Sequence, residues 1–467
     1  MRPNHPLTAL LAVGFVLASA GCQTVTQPQR SSATATAVAS GTPMAAPAAA
    51  ASPDYDGDGK ADLAATRTEE TEALGVRIKL GAGPTVDLTA AAITPDASGI
   101  AAPLLSGDLN SDGFSDLVFV TRDGRLTVVP GSPSGLQLAA RQSLKLPTTA
   151  APATAFPMIR SLALVESAVR RLAVGLINPT SGVGEVILVQ VNALGAPSGT
   201  PTLLKPGTAK LPKLKDAGSF GSALAGAGSQ LFIGAPSATV SGVPHAGAMM
   251  AVTLGASGVV SATTITQATK GVTGAVAKND FFGASVAARD GYLAVGTYGD
   301  AVGSVKSTGS VQIFTLSKGK VTPKTRLSQA STGVPGKAEK YDQFGRAVAL
   351  ATSCSGVPAV VVGAPAEVIT AGHESDGSAW LIPLTTAKGC AARQLYEGHG
   401  LSGTPGFRVV GFMLAAIRDR GAVADDLVII GPGSYSEGPE GMLFRWSSAS
   451  LTTTYRADGF YRSAAGR

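Results

Sequence analysis

One phrase recurs along this chain at a nearly fixed distance. Phe220-Gly221 leads to Ile233-Gly234-Ala235-Pro236 and then GAMMAVTL, and Phe282-Gly283 leads to Val295-Gly296-Thr297 and GSVQIFTL. A third copy opens at Phe344-Gly345, runs through AVVVGAP and ends in GSAWLIPL; the last runs from Phe407 through DDLVIIGPG to GMLFRW. The four Phe positions are 62, 62 and 63 residues apart. Between the Gly and Pro punctuation, Val, Ala and Leu alternate or run unbroken, the signal of strands buried in stacked sheets. A period of this size with several strands per copy predicts radial repetition, a β-propeller, rather than a string of separate domains.

The folded part is expected to begin with a different signal. Asp54, Asp56, Asp58 and Asp62 stand at positions 1, 3, 5 and 9 of a loop that turns at Gly59. Asp108, Asn110, Asp112 and Asp116 repeat the pattern 54 residues later, with Gly113 at the turn. Oxygen side chains at this spacing can surround a hard cation, with the position-7 carbonyls of Lys60 and Phe114 added. These loops are not EF-hands: Ala65 and Phe119 occupy the twelfth position where Glu belongs, and each loop runs straight into a strand (LAAT, LVFV). The expectation is two structural Ca²⁺ sites, against plain Asp/Gly turns as the alternative.

Residues 1–22 read as an export signal, with Arg2 at the start, an apolar run over 7–20 too short to span a bilayer, and Ser19-Ala20-Gly21-Cys22 at its end. Small residues before a Cys resemble a bacterial lipoprotein cleavage site, which would make Cys22 the lipidated first residue of an exported, membrane-anchored protein. Cleavage near Ala20 by ordinary signal peptidase is the alternative and would leave it secreted. Residues 23–53 are Ala, Thr, Ser, Pro and Gln with Arg30 as the one charge. Such a segment buries too little apolar surface to offset chain entropy and is expected to be a disordered tether.

The combination of Phe-Gly, a D-x-D/N-x-D-G-x-x-D loop and Gly-Ala-Pro resembles the FG-GAP repeat of integrin α-subunit propellers and their bacterial relatives. The resemblance implies Phe-Gly on inner strand A, Ca²⁺ in the A–B loop and Gly-Ala-Pro at the end of strand B. The features are split here. The first two repeats keep the Ca²⁺ loop without Phe-Gly, and the later ones keep Phe-Gly without the ligands, so Ca²⁺ is expected in two blades only. Adding a degenerate copy from Phe156 through LAVGLINP to GEVILVQV gives seven repeats over residues 54–467. The expected fold is therefore all-β, a seven-bladed propeller of four-stranded antiparallel blades. The first repeat lacks a strand A, and residues 458–465 read as the missing one, so the C-terminal strand is expected to close the ring and cover an open edge.

Cys354 lies in the A–B loop of the sixth blade and Cys390 just beyond its strand C, which should bring both to one end of the blade. A disulfide is expected there, with two free thiols as the alternative. No nucleophile elbow, phosphate loop, dinucleotide glycine pattern or zinc-like cluster occurs, so enzyme activity is not supported. The rival function is an extracellular hydrolase built from loops at the channel mouth. A net charge of +6 favours anionic partners, but with 5% aromatics and no stacking platform among Lys205, Lys210, Lys213 and Lys215, no nucleic acid is expected.

B–C and D–A loops share the face opposite the Ca²⁺ loops, and integrin propellers bind partners there. The longest polar loops fall on that face, at 237–246, 298–308, 367–376 and 434–440. The resemblance thus implies a monomeric binding or adhesion module for a protein or glycan, touching the membrane only through its lipid. Tyr298, Asp300, His373, Glu374, Tyr435 and Glu437 are the candidate contacts.

Overall fold

The computed structural model describes residues 52–465, apart from 69–73, 82, 95–98, 148–157, 178–182, 209, 372, 374, 407–408, 434–439 and 459–460. Seven small antiparallel sheets follow one another around a ring. In order they are blade 1 (63–88 with 461–464), blade 2 (100–145), blade 3 (158–204), blade 4 (224–265), blade 5 (285–327), blade 6 (347–401) and blade 7 (413–458). Each blade has strands A to D from the axis outward, and blade 6 adds a short parallel fifth strand, Gly400–Leu401, beside Arg393–Glu397.

The C-terminal strand, Tyr461–Ala464, is strand A of blade 1. It lies antiparallel to strand B, Leu63–Thr68, with Ala464 opposite Ala65 and Tyr461 opposite Arg67. The ring is closed by one strand from the end of the chain and three from its beginning. The closing strand is shorter than expected, because Asp458 still belongs to strand D of blade 7, Thr452–Asp458. Between strand D of blade 1 and blade 2 the chain makes a single helical turn, Ala90–Ile93, capped by the Thr89 hydroxyl, which accepts from the Ala92 N–H at 3.3 Å.

The core is not at the centre. Among the described residues the buried apolar side chains fall into seven clusters, each shared by two neighbouring blades. Leu188 of blade 3 and Met250 of blade 4 meet in one of them; Val361 of blade 6 and Phe444 of blade 7 meet in another. A blade therefore packs on both faces, which is why its middle strands read as unbroken apolar runs such as QLFIGA. Outer strands keep a polar edge: KVTPKTRL alternates exposed and half-buried positions.

The recurrent Phe-Gly serves these junctions. Phe220, Phe282 and Phe344 are fully buried, and the glycine after each has a left-handed φ of 84° to 90°. The dipeptide backbone lies in a cradle of two glycines from the preceding blade. Gly234 and Gly247 of blade 4 hold Phe282-Gly283, and Gly296 and Gly309 of blade 5 hold Phe344-Gly345. A Cβ on any of the four would collide with a carbonyl oxygen of the guest dipeptide.

The fourth copy corrects the sequence reading. Phe407 lies outside the described residues, and the guest of Gly363 and Gly377 is Val410-Gly411. Val410 donates its N–H to the Asp376 carbonyl at 3.0 Å, as Phe344 does to Thr308 at 2.9 Å. Gly411 has the required φ of 82°. The junction selects the glycine and its backbone geometry; Val410 shows that the phenyl ring is replaceable. Phe156 also lies outside the described residues, although blade 3 forms where its repeat was expected, from Met158 onward.

Candidate functional site

The two acidic loops have the same internal wiring. In the first, Asp54 accepts the N–H groups of Gly57 (2.7 Å) and Gly59 (3.1 Å), Asp56 accepts from Asp58 (3.2 Å), and Asp58 accepts from Lys60 (2.6 Å). In the second, Asp108 accepts from Ser111, Asn110 from Asp112, and Asp112 from Phe114. Position 9 is set apart. Asp62 bridges the N–H groups of Tyr55 and Gly81, and Asp116 those of Leu109 and Gly131. Each thereby ties its loop to the C–D loop of its own blade.

The structure brings one oxygen each of Asp54, Asp56 and Asp58 within 4.8 Å of one another; Asp62 is not in that group. Burial pushes Asp62 up to about 7 and Asp116 to about 6, and it also raises Asp54. Crowded carboxylates at partly buried positions are a donor set that a hard dication fits, since its charge would remove the repulsion that burial amplifies.

The first loop also sits on the seam of the ring. Its Asp54 N–H donates to Ser115 of blade 2 (2.9 Å), and Ser115 donates back to the Asp54 carbonyl (2.7 Å). On the other side Arg420 of blade 7 reaches Asp54 at 3.3 Å, and Asp419 takes the Ala61 N–H at 2.7 Å and the Lys60 ammonium at 3.3 Å. Blade 7 has its own version of the loop, in which Arg418 and Arg420 replace the ligands at positions 1 and 3. Arg418 and Arg289 pair with Asp425, which is completely buried. Guanidinium groups do there what a metal would do in blades 1 and 2.

A cavity of about 770 Å³ opens along the axis on this A–B loop side. Strand A residues such as Leu105, Ala163, Ala225, Ala287 and Ala349 line it, with Asp108, Glu166, Arg170 and Asp290 toward the loop end. Ser52, the first described residue, lies on its wall and exchanges two backbone hydrogen bonds with Arg418, of 2.9 and 3.0 Å. The chain thus enters the propeller on the face of the acidic loops.

The opposite face has a different character from the one expected. Asp300 is 5% exposed and is held by Arg326 (Nε at 2.9 Å) and Ser310 (2.5 Å), so it packs the blade rather than facing a partner. His373 pairs with buried Asp376 at 2.5 Å, and Asp376 also caps the loop through the N–H groups of Ile369 and Thr370. Tyr298 is half-buried and stacks on Phe281, their centroids 4.9 Å apart. Glu374, Tyr435 and Glu437, like Cys22, lie outside the described residues. Of the basic connector, Lys205 pairs with buried Glu185, while Lys210, Lys213 and Lys215 are at the surface. Cys354 and Cys390 face each other in blade 6 in disulfide arrangement, with Cα atoms 6.0 Å apart.

Among the buried acids that sequence reasoning missed is Glu367. It occupies in blade 6 the place of Asp300 in blade 5, but its strand D neighbour is Gln394 instead of arginine. Glu367 is 6% exposed, accepts from Gln329 at 2.7 Å, and is pushed up to about 8 by burial and by nearby Asp342. A carboxyl whose pKa is raised on folding is stabilising while protonated, and that stability is lost as pH rises from about 4.5 through 8. Glu367→Gln should therefore stabilise the protein at pH 9, by up to about 5 kcal/mol at about 1.4 kcal/mol per unit, and change little at pH 4. Denaturant midpoints at the two pH values check this; equal effects at both would show that Glu367 ionises freely.

Residues 54–119 match the family model described as FG-GAP-like repeat. No curated protein matches the chain. Solved structures similar to it include BBS1N in its complex with ARL6DN, at 11% identity and a TM-score of 0.42, covering 83% of this chain and 91% of that one. Kuenenia stuttgartiensis hydrazine synthase is similar at 11% identity and a TM-score of 0.41, covering 77% and 87%. Likeness of that degree carries no functional argument. The family match is confined to residues 54–119, the two acidic-loop repeats: the chain is a seven-bladed β-propeller that carries an FG-GAP-like repeat there.

Proposed function

We propose that this propeller is a calcium-stabilised binding module, exported and held at the outer surface of a cell membrane through a lipid on Cys22. Its B–C and D–A loop face would be offered to a protein or glycan partner. The observation that carries the reading is the point of chain entry. Ser52 joins the ring on the acidic-loop face, so a tether on that side leaves the other face turned away from the membrane. The acidic loops suit a structural role for Ca²⁺ because the first bridges blades 7, 1 and 2. The residues that would hold the ion are Asp54, Asp56, Asp58 and the Lys60 carbonyl, and in blade 2 Asp108, Asn110, Asp112 and the Phe114 carbonyl. Asp62 and Asp116 complete the sets if they exchange amide partners for metal.

Thermal unfolding in excess Ca²⁺ and in chelator tests the metal. A site occupied at a hundred times its dissociation constant adds about 2.7 kcal/mol, so two sites should raise the melting temperature clearly. Asp56→Asn together with Asp112→Asn should abolish most of that shift. No shift in the unaltered protein would reduce both loops to turns. For the partner face, beads bearing the chain should retain an envelope protein or glycan. Replacing residues 302–307, which leaves Asp300 and Ala301 in place, by a short Gly-Ser turn should release it without moving the calcium-dependent melting.

A further inference from the structure

One guanidinium on the loop face has a rigid seat and, among the described residues, no ion-pair partner. The residue after each junction glycine begins strand A beside the axis, and the four equivalents in blades 4 to 7 are Ser222, Ala284, Arg346 and Phe412. Arg346 lies over Tyr298 of blade 5, its Cζ 4.8 Å from the ring centroid, and also faces the Phe412 ring of blade 7 at 5.7 Å. Its backbone is fixed by an N–H to the Gln343 carbonyl at 2.9 Å. Among the described residues Arg346 forms no ion pair, whereas Arg326, one blade back, is spent on Asp300. A guanidinium held between rings keeps its planar fork of donors free for a carboxylate.

The surroundings have the same sign. Lys270, Lys278, Lys306, Lys337 and Lys340 are exposed on the loops that flank this position. The single exposed acid among the described residues of those loops is Glu339, already paired with Lys337 at 3.6 Å. Asp280, Asp300 and Asp342 are buried beneath.

We infer that Arg346 is the anchor of a binding site for a carboxylate on an acidic peptide segment with apolar neighbours, and that the lysines steer that segment in. This rests on the partner-face reading above and names the chemistry the face selects. A sugar platform is disfavoured by the stacking itself. Phe281 and Arg346 both lie within 5 Å of the Tyr298 centroid and so occupy its two faces, leaving no open face for a sugar ring. Half-buried Phe281 and Phe412 instead give apolar side chains a place to rest.

The test uses the full chain and fluorescence anisotropy. The probes are a labelled peptide of alternating Glu and Leu, its Gln counterpart, and an oligomer of galacturonic acid. The Glu peptide should bind at least ten-fold more tightly than the Gln peptide. Arg346→Ala and Arg346→Lys should each lose ten-fold or more, because the planar fork rather than charge alone is needed. Lys337→Gln with Lys340→Gln should mainly flatten the salt dependence. Melting curves of each variant separate lost binding from lost fold, and the Lys variant keeps the cation if the Ala variant fails to fold. Binding of the Glu peptide unchanged in both Arg346 variants overturns the inference. So does binding of the galacturonate alone, and so does no binding of any probe. The calcium measurement does not involve Arg346, so the wider reading stands or falls separately.

Discussion

Removing residues 459–467 should cost the propeller several kcal/mol and leave it prone to self-association. The deletion takes away the whole of Tyr461–Ala464 and with it the backbone pairing to Leu63–Thr68. It also removes Ala465, which is fully buried and donates its N–H to the Ala64 carbonyl at 2.8 Å. At about 1 kcal/mol net per hydrogen bond, the direct loss is roughly 3–4 kcal/mol. The indirect loss is an exposed strand edge facing the axis, which invites pairing with another copy. Unfolding midpoints and light scattering of the shortened chain check both. A synthetic peptide of residues 459–467 should restore part of the lost stability. A shortened chain that melts with the full-length protein and stays monomeric would mean that the seam is held by the loops alone.

Gly296→Ala should be among the most damaging single changes in the molecule, at about 3 kcal/mol or more, because an added methyl meets a backbone that cannot yield. Its Cβ would strike the Gly345 carbonyl oxygen and the Ser285 hydroxyl, both inside the junction of blades 5 and 6. The control is Gly319→Ala. Gly319 has a left-handed φ of 76° but meets nothing within 4 Å, so alanine there should cost only the backbone preference, roughly 1 kcal/mol. Denaturant unfolding of the two variants separates space from conformation. Equal losses would refute the cradle.

The blades were legible because their middle strands are buried on both faces and so announce themselves as apolar runs between glycines. The closing strand was legible because blade 1 lacked a partner and the C-terminus offered one. Phe407 misled because a phenylalanine was followed as the marker, while the junction needs the glycine that follows the guest residue and tolerates Val410 in the guest position. The candidate contacts fared differently. Asp300 is neutralised by Arg326, 26 residues away, and His373 pairs with Asp376. Arg346 gains its meaning from Tyr298 and Phe412 in two other blades. Pairings that cross blades leave no periodicity to read, whereas loops that hold their own ligands, such as 54–62, do.

The entry of the chain at Ser52 also decides how the protein would bear a mechanical load. A pull on the N-terminus does not act first on blade 1. It meets the paired hydrogen bonds between Ser52 and Arg418, which belong to blade 7, and then the contacts of Arg420 with Asp54 and of Asp419 with Ala61 and Lys60. Force is thereby divided between the first and last blades and drawn across the seam rather than along it. An ion in the first acidic loop would sit on that line of tension, so drag on a tethered propeller would be resisted where the two ends of its chain meet.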